Sequence, residues 1–170
     1  MEQLLNFIYK GAQTKRFHTA DTQTSQTVGA HSFGVAWLVV LISPTARKEL
    51  ILAALAHDLA EHIVGDVSSP TKRAFPALRA AVDEAEGAAL KAVGLDYAAG
   101  LTCHEQKVLK CADMLDGMMF CVRARRMGDL GVKEIYNNFY AYVSEITLTE
   151  YAKELVSVVA KQWEEVNGKC

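Results

Sequence analysis

The chain has 170 residues, 51 % of them hydrophobic and 22 % charged, with 18 Lys and Arg against 20 Asp and Glu. That length suits one domain with its own apolar core, and the composition excludes wholesale disorder. The slightly acidic balance excludes a nucleic-acid polymer as partner, because that affinity comes from a basic face neutralising phosphates, whereas a nucleotide-sized anion needs only a few local cations.

The opening "MEQLLNFIYK" starts with an acid and predicts a short amphipathic helix near 2–11 rather than a signal peptide. Residues 14–27, "TKRFHTADTQTSQT", are rich in Thr, Ser, Gln and Asp and predict a loop. Apolar residues recurring at three and four then predict helices near 28–43 and 45–64, separated by Ser43-Pro44-Thr45 with Thr45 as N-cap. The longest apolar run, Val35 to Ile42, falls well short of the ~20 residues that span a bilayer. The expectation is a soluble, unprocessed, cytoplasmic protein without a membrane partner, in the host cytoplasm if phage-encoded.

Residues 65–76, "GDVSSPTKRAFP", hold two prolines and predict a second loop; loops on a rigid scaffold are where binding residues concentrate. Helices near 77–94, 102–127, 131–146 and 149–166 complete the chain, with Thr149 capping the last and Gly94, Gly128 and Gly168 at C-terminal ends. Convincing period-two alternation is absent, so the fold class is all-α: one domain over 1–170, a bundle of about six to seven helices. Cys103, Cys111, Cys121 and Cys170 form no CxxC pair and read as reduced packing residues. The apolar content exceeds what one small core needs, which points to a homo-oligomer, a dimer or a hexamer.

"ALAHDLAEHIVGD", Ala54 to Asp66, puts two imidazoles and three carboxylates in a segment whose apolar spacing says buried helix. His57 and Asp58, roughly 100° apart around a helix axis, reach one common point on the bisector between them, where a metal ion fits. Glu61 follows His57 by one turn, placed to work on a metal-bound water. His31 opens the apolar helix near 28–43, and Asp113 lies among apolar residues in "LKCADMLDGMMF", where a buried carboxylate needs a partner. Two imidazoles and two carboxylates suit Zn, Co, Mn, Fe or Ni alike. Asp116, one turn after Asp113, reads as a support for the site or as a solvated face. His62, four residues after Asp58, is placed to hydrogen-bond it, and Phe17, Phe33 and Trp37 are candidate walls for a base.

The order His31, His57-Asp58, Asp113 resembles the H…HD…D signature of HD-domain metal-dependent phosphohydrolases. "RF" at Arg16-Phe17, "AHSFGVA" around His31, "AHDLAEHIVGDVSSPTK" from Ala56 to Lys72 and "LKCADML" around Asp113 are similar to the 5'-deoxynucleotidase branch and to the small phage-type deoxynucleoside triphosphohydrolases. The resemblance implies an all-α HD fold with His31, His57, Asp58 and Asp113 as ligands of a divalent metal (Zn, Co or Mn, with Mg a companion of the substrate phosphates). It implies that Glu61 orients or deprotonates the attacking water, that Asp66 assists, and that Lys72 and Arg16 contact phosphate. Phe17 stands where the nucleotidase branch has Trp, which keeps a flat wall but loses an N–H donor. His18 in the same loop and Arg73 beside Lys72 join the substrate-binding candidates. The implied substrate is a 2'-deoxynucleotide. The favoured reaction is attack on the α-phosphorus of dATP or another deoxynucleoside triphosphate, releasing deoxynucleoside and triphosphate; the alternative is hydrolysis of a monophosphate, and a remote one a non-catalytic nucleotide-binding bundle.

Overall fold

The computed structural model describes residues 1–146 and 149–168, so Cys170 lies outside the described residues. The elements are α1 (Glu2–Gln13), β1 (Lys15–Arg16), β2 (Gln26–Thr27), α2 (Val28–Ile42), α3 (Lys48–Ala56), α4 (Glu61–Val64), α5 (Ser69–Ala74), α6 (Pro76–Ala92), a 3-10 turn (Tyr97–Gly100), α7 (Cys103–Arg126), α8 (Val132–Glu145) and α9 (Glu150–Asn167). Hydroxyls start several of them: Thr27, Ser68 and Thr149 each accept from a backbone amide two or three residues into the helix that follows. Thr102 does the same for α7 and is answered by the Glu105 carboxylate, a reciprocal capping box.

α7 runs through the centre, lined by Val108, Cys111, Ala112, Leu115, Met118, Cys121 and Val122. α2 and α3 cover one flank, contributing Val35, Val39, Leu50 and Ala53; α8 and α9 cover the other, with Tyr136 stacked on Trp163 at 3.9 Å between ring centroids. Gly117 admits this packing, since a Cβ there would lie 2.4 Å from the Phe139 ring. A second apolar cluster, Phe7, Val28, Ala56, Leu59, Ala60 and Leu90, joins α1 and α6 to the segment between α3 and α4. Among the described residues no helix is long and apolar enough to cross a membrane.

Four local expectations need correction. The helix expected over 45–64 is two helices, because between α3 and α4 the His57 ring Nδ1 takes the Ala54 carbonyl at 2.8 Å and competes with the backbone ladder. The amides of Leu59, Glu61 and Ile63 accordingly bond only three residues back. Thr45 is not an N-cap: α3 starts after Arg47, whose guanidinium is pinned by Glu105 and the Gly100 carbonyl at 2.5–2.9 Å. The loop expected over 65–76 contains α5, since Ser68 caps a turn whose first residues include Pro70, where a missing N–H costs nothing. The loop over 14–27 is closed by the antiparallel β1–β2 pair, with Lys15 opposite Thr27.

Candidate metal centre

Three elements deliver the expected ligands to one place. His31 sits in the first turn of α2 with no exposed surface, His57 ends α3, Asp58 follows it in the tight turn, and Asp113 lies midway along α7. One ligand atom from each of His31, His57 and Asp113 lies within 4.8 Å of the other two. His31 Nε2 is 3.2 Å from an Asp113 oxygen and 3.5 Å from an Asp58 oxygen, and His57 Nε2 is 3.4 Å from the other Asp58 oxygen. Ligands about 2.1 Å from a tetrahedral ion stand about 3.4 Å apart along the edges of the tetrahedron, so the cluster of His31, His57 and Asp113 has the spacing a single cation needs, with Asp58 beside both imidazoles.

The imidazoles are oriented for that role. His31 Nδ1 meets Asp116 Oδ2 at 2.6 Å and His57 Nδ1 meets the Ala54 carbonyl at 2.8 Å. With each Nδ1–H committed to an oxygen, the lone pair is on Nε2, and both Nε2 atoms are buried without a hydrogen-bond partner. Asp116 also accepts from Gln26 Nε2 at 2.8 Å. It fits against α2 because residue 34 is glycine: a Cβ there would stand 1.9 Å from Asp116 Oδ1. Of the two readings open for Asp116, the structure realises the supporting one.

The electrostatics are tightly opposed. Burial works against ionisation of Asp113, but the Lys110 ammonium at 2.8 Å and the His31 ring 3.2 Å away hold its carboxyl well below the usual range. Asp58 is lowered too, as His57, its ion-pair partner Arg16 and His31 outweigh burial. Burial and the Arg16 charge oppose protonation of His31, yet the Asp113 and Asp116 carboxylates beside its ring raise its pKa. Glu61 is pushed up to about 9, first by burial and then by the Asp58 charge, and its Oε2 has no partner. A cation among these carboxylates would favour the ionised form of Glu61.

The candidates around this centre divide. Arg16, buried at the end of β1, pairs with Asp58. Phe17 follows with φ at 59°, a left-handed conformation that costs a bulky residue on the order of 1–3 kcal/mol; its amide donates to Asp66 Oδ2 at 2.7 Å, which holds it there. Its ring is stacked on Phe120 and edge-on to Phe139, so it is packed rather than open. His18 is half exposed, 3.8 Å from Asp66. Lys72 is held by Glu86 at 3.4 Å and Asp83 at 3.9 Å, and Arg73 turns to Asn138 at 3.1 Å. His62 does not bond Asp58: its Nδ1 meets the Leu59 carbonyl at 2.7 Å and its ring packs edge-on against Phe7. Phe33 and Trp37 are exposed on the side of α2 away from His31. Lys110 and Glu86 went unforeseen; Lys110 precedes Asp113 by one helical turn, a spacing that marks it in the sequence, whereas nothing local marks Glu86.

The geometry has counterparts among solved structures. The PH0347 protein of Pyrococcus horikoshii OT3 superposes with a TM-score of 0.74 at 20 % identity, over 95 % of this chain and 99 % of its own. A conserved hypothetical protein of Pyrococcus furiosus superposes at 0.75 and 21 % identity over the same shares. The HD phosphohydrolase DatZ of cyanophage S-2L, solved with dA and one catalytic Zn2+, superposes at 0.69 and 17 % identity, over 97 % of this chain and 96 % of its own. At these identities the likeness establishes a shared all-α HD fold. No curated protein matches the chain. The family model of the YfbR-like 5'-deoxynucleotidases matches residues 3–161, and the chain, with its two buried imidazoles facing two carboxylates, belongs to that family.

Proposed function

We propose that the chain is a metal-dependent phosphohydrolase of 2'-deoxynucleotides, cutting dATP and other deoxynucleoside triphosphates to deoxynucleoside and triphosphate. The observation that carries the reading is the pair of buried, unpartnered Nε2 atoms of His31 and His57 facing Asp113 and Asp58. These four residues would hold a divalent transition ion, Zn, Co or Mn, with Mg accompanying the phosphate tail. When bound, the ion supplies positive charge to a phosphate oxygen and makes a water acidic enough to attack near neutral pH.

The remaining steps belong to the side chains. Glu61, buried one turn beyond Asp58, accepts the proton of the attacking water. Asp66 fixes the loop carrying Arg16 and His18 through the Phe17 amide and stands near the His18 ring to relay a proton to the leaving oxygen. Arg16 and Lys110, each already on a ligand carboxylate, set the anion's orientation through charge-assisted hydrogen bonds. Lys72, paired with Glu86 at 3.4 Å, would exchange that carboxylate for the substrate tail, and Arg73 would reinforce it. The enzyme would act in the cytoplasm as one domain, with the deoxynucleotide and further copies of the chain as its partners.

The tail length has arguments on both sides. Arg16, Lys110, Lys72 and Lys15 offer more cationic groups than one phosphate needs. The family's 5'-deoxynucleotidase description favours a monophosphate, as do the existing partners of Lys72 and Arg73. Incubation of metal-loaded protein with dATP and with dAMP, followed by separation of products, decides between them. Triphosphate release supports the proposal; inert dATP beside cleaved dAMP replaces it with the monophosphatase. A purified chain that holds no transition metal and stays inactive with Zn, Co or Mn sinks both.

A further inference from the structure

We infer that Asp129, at the corner between α7 and α8, is a positioning residue for the metal centre and for the substrate loop beside it, acting through Arg16 and Gln26. It rests on the reading in which Arg16 orients the substrate's phosphate. The Asp129 carboxylate is 1 % exposed, so hydrogen bonds have to compensate its burial. Four donors do so. The Gln23 and Thr24 amides at 2.9 Å and the Thr24 hydroxyl at 2.7 Å all reach Oδ2, whereas the Gly131 amide, at 3.1 Å on Oδ1, comes from the corner itself. A side chain that only shaped the corner would need the last of these bonds. The other three grip a loop 105 and 106 residues earlier in the chain.

The corner is shaped to take that loop. A Cβ on residue 131 would lie 1.7 Å from the Asp21 carbonyl oxygen, so backbone rests against backbone there and glycine is what admits it. Residues 17–25 are thereby held on their far side by Asp129 and Gly131 and at their base by the two-residue β1–β2 pair. The base is where the clasp meets the chemistry. Arg16 and Gln26 are partners across that pair. Arg16 is paired with Asp58, and Gln26 Nε2 donates to Asp116, which meets the His31 ring.

One strand pair therefore carries both the cation beside a candidate ligand carboxylate and the amide behind a candidate ligand imidazole. The residues that Asp129 grips also share a cavity of about 150 Å³ with Lys15, Arg16 and His18. Without Asp129, the loop keeps the Phe17 amide on Asp66 and a ladder two residues long, and a two-stranded ladder is marginal on its own. A displacement of about 1 Å in a group that orients substrate costs roughly 100-fold in rate, so a clasp far from the phosphate still governs how it is met.

The test uses the full chain as Asp129→Ala, Asp129→Asn and Gly131→Ala. Zn2+ affinity is measured by competition against a chromophoric chelator, and KM and kcat are measured for dATP and dAMP at saturating Zn2+. Asp129→Ala should weaken Zn2+ binding and raise KM by roughly 10-fold each, the low end for loss of an outer partner of a ligand, while kcat falls by less. Asparagine keeps an oxygen for the loop donors and should bring both back to within about threefold of wild type. Gly131→Ala leaves Asp129 in place and pushes the loop off the corner, so it should reproduce the losses even if Asp129→Ala does not fold. In an Arg16→Ala background, Asp129→Ala should raise KM no further, because both changes act through one group. Wild-type Zn2+ affinity and KM in the folded variants overturn the inference, and so does a full additional loss in the Arg16→Ala background, which would mark Asp129 as structural alone. A wild type inactive on both nucleotides counts against the reaction only, since Zn2+ affinity in the variants still decides the positioning role.

Discussion

Replacing Gly34 by alanine sets a local rule against a tertiary contact. In a helix interior Gly→Ala ordinarily stabilises by up to about 1 kcal/mol, because alanine has less backbone freedom to lose. Here the new methyl would stand 1.9 Å from Asp116 Oδ1, which is about 1.4 Å inside even a close C–H···O approach of ~3.3 Å. Asp116 has nowhere convenient to go, because its other oxygen is shared between His31 Nδ1 at 2.6 Å and Gln26 Nε2 at 2.8 Å. A retreat of that size carries the 2.6 Å bond past the ~3.5 Å limit of a hydrogen bond and frees the His31 ring to rotate. Overpacking costs on the order of 1–3 kcal/mol, which exceeds the propensity gain. Loss of the group behind a ligating histidine lowers metal affinity by roughly 10–100-fold. Competition against a chromophoric chelator measures the affinity, and thermal melts with and without metal measure the stability. A Gly34→Ala protein that melts higher than wild type and keeps its metal affinity would refute the argument that Asp116 and Gly34 together set the His31 ring.

Glu61→Gln should reduce turnover by about 10²–10⁴-fold while stabilising the chelator-treated protein at alkaline pH. The sign follows from its raised pKa: between the ordinary 4.5 and about 9 the folded state binds more protons than the unfolded one, so stability declines as pH rises through that window. Glutamine removes the decline, and equal melting temperatures for the two proteins at pH 8 would contradict it. Glu105 has the opposite sign, held down to about 2 by Arg47 and the Thr102 amide and hydroxyl. Its contribution is complete above 4.5 and fades as pH falls toward 2, so the urea midpoint difference between wild type and Glu105→Gln should shrink over that range rather than stay constant. Asp129 accepts from the Gln23 and Thr24 amides, the Thr24 hydroxyl and the Gly131 amide at 2.7–3.1 Å, anchoring the far end of the Arg16–His18 loop. Asp129→Ala should cost about 1–3 kcal/mol and release amide exchange at Gln23 and Thr24 first; unchanged protection there would show that the loop is held by other contacts.

Helical spacing by itself determined the all-α class and the positions of the long helices, because apolar residues at three and four are a property of each segment alone. Candidate ligands could be picked out for a related reason. His31, Asp58 and Asp113 are polar groups in apolar segments, costly unless something compensates them. The broken helix at His57 was not legible, since it depends on a ring nitrogen taking the Ala54 carbonyl, a choice that local propensity does not encode. Nor was the supporting shell. Lys110 could be read from its one-turn spacing, but Asp116 reaches His31 across 85 residues, Arg16 reaches Asp58 across 42, and Glu86 meets Lys72 between two helices. Such pairings exist only once α2, α3 and α7 have packed, and packing depends on the shape of all three surfaces at once. The chain thus announces which buried polar groups need a compensating partner, while the fold alone decides how those groups are held and which charged side chains stand beside them.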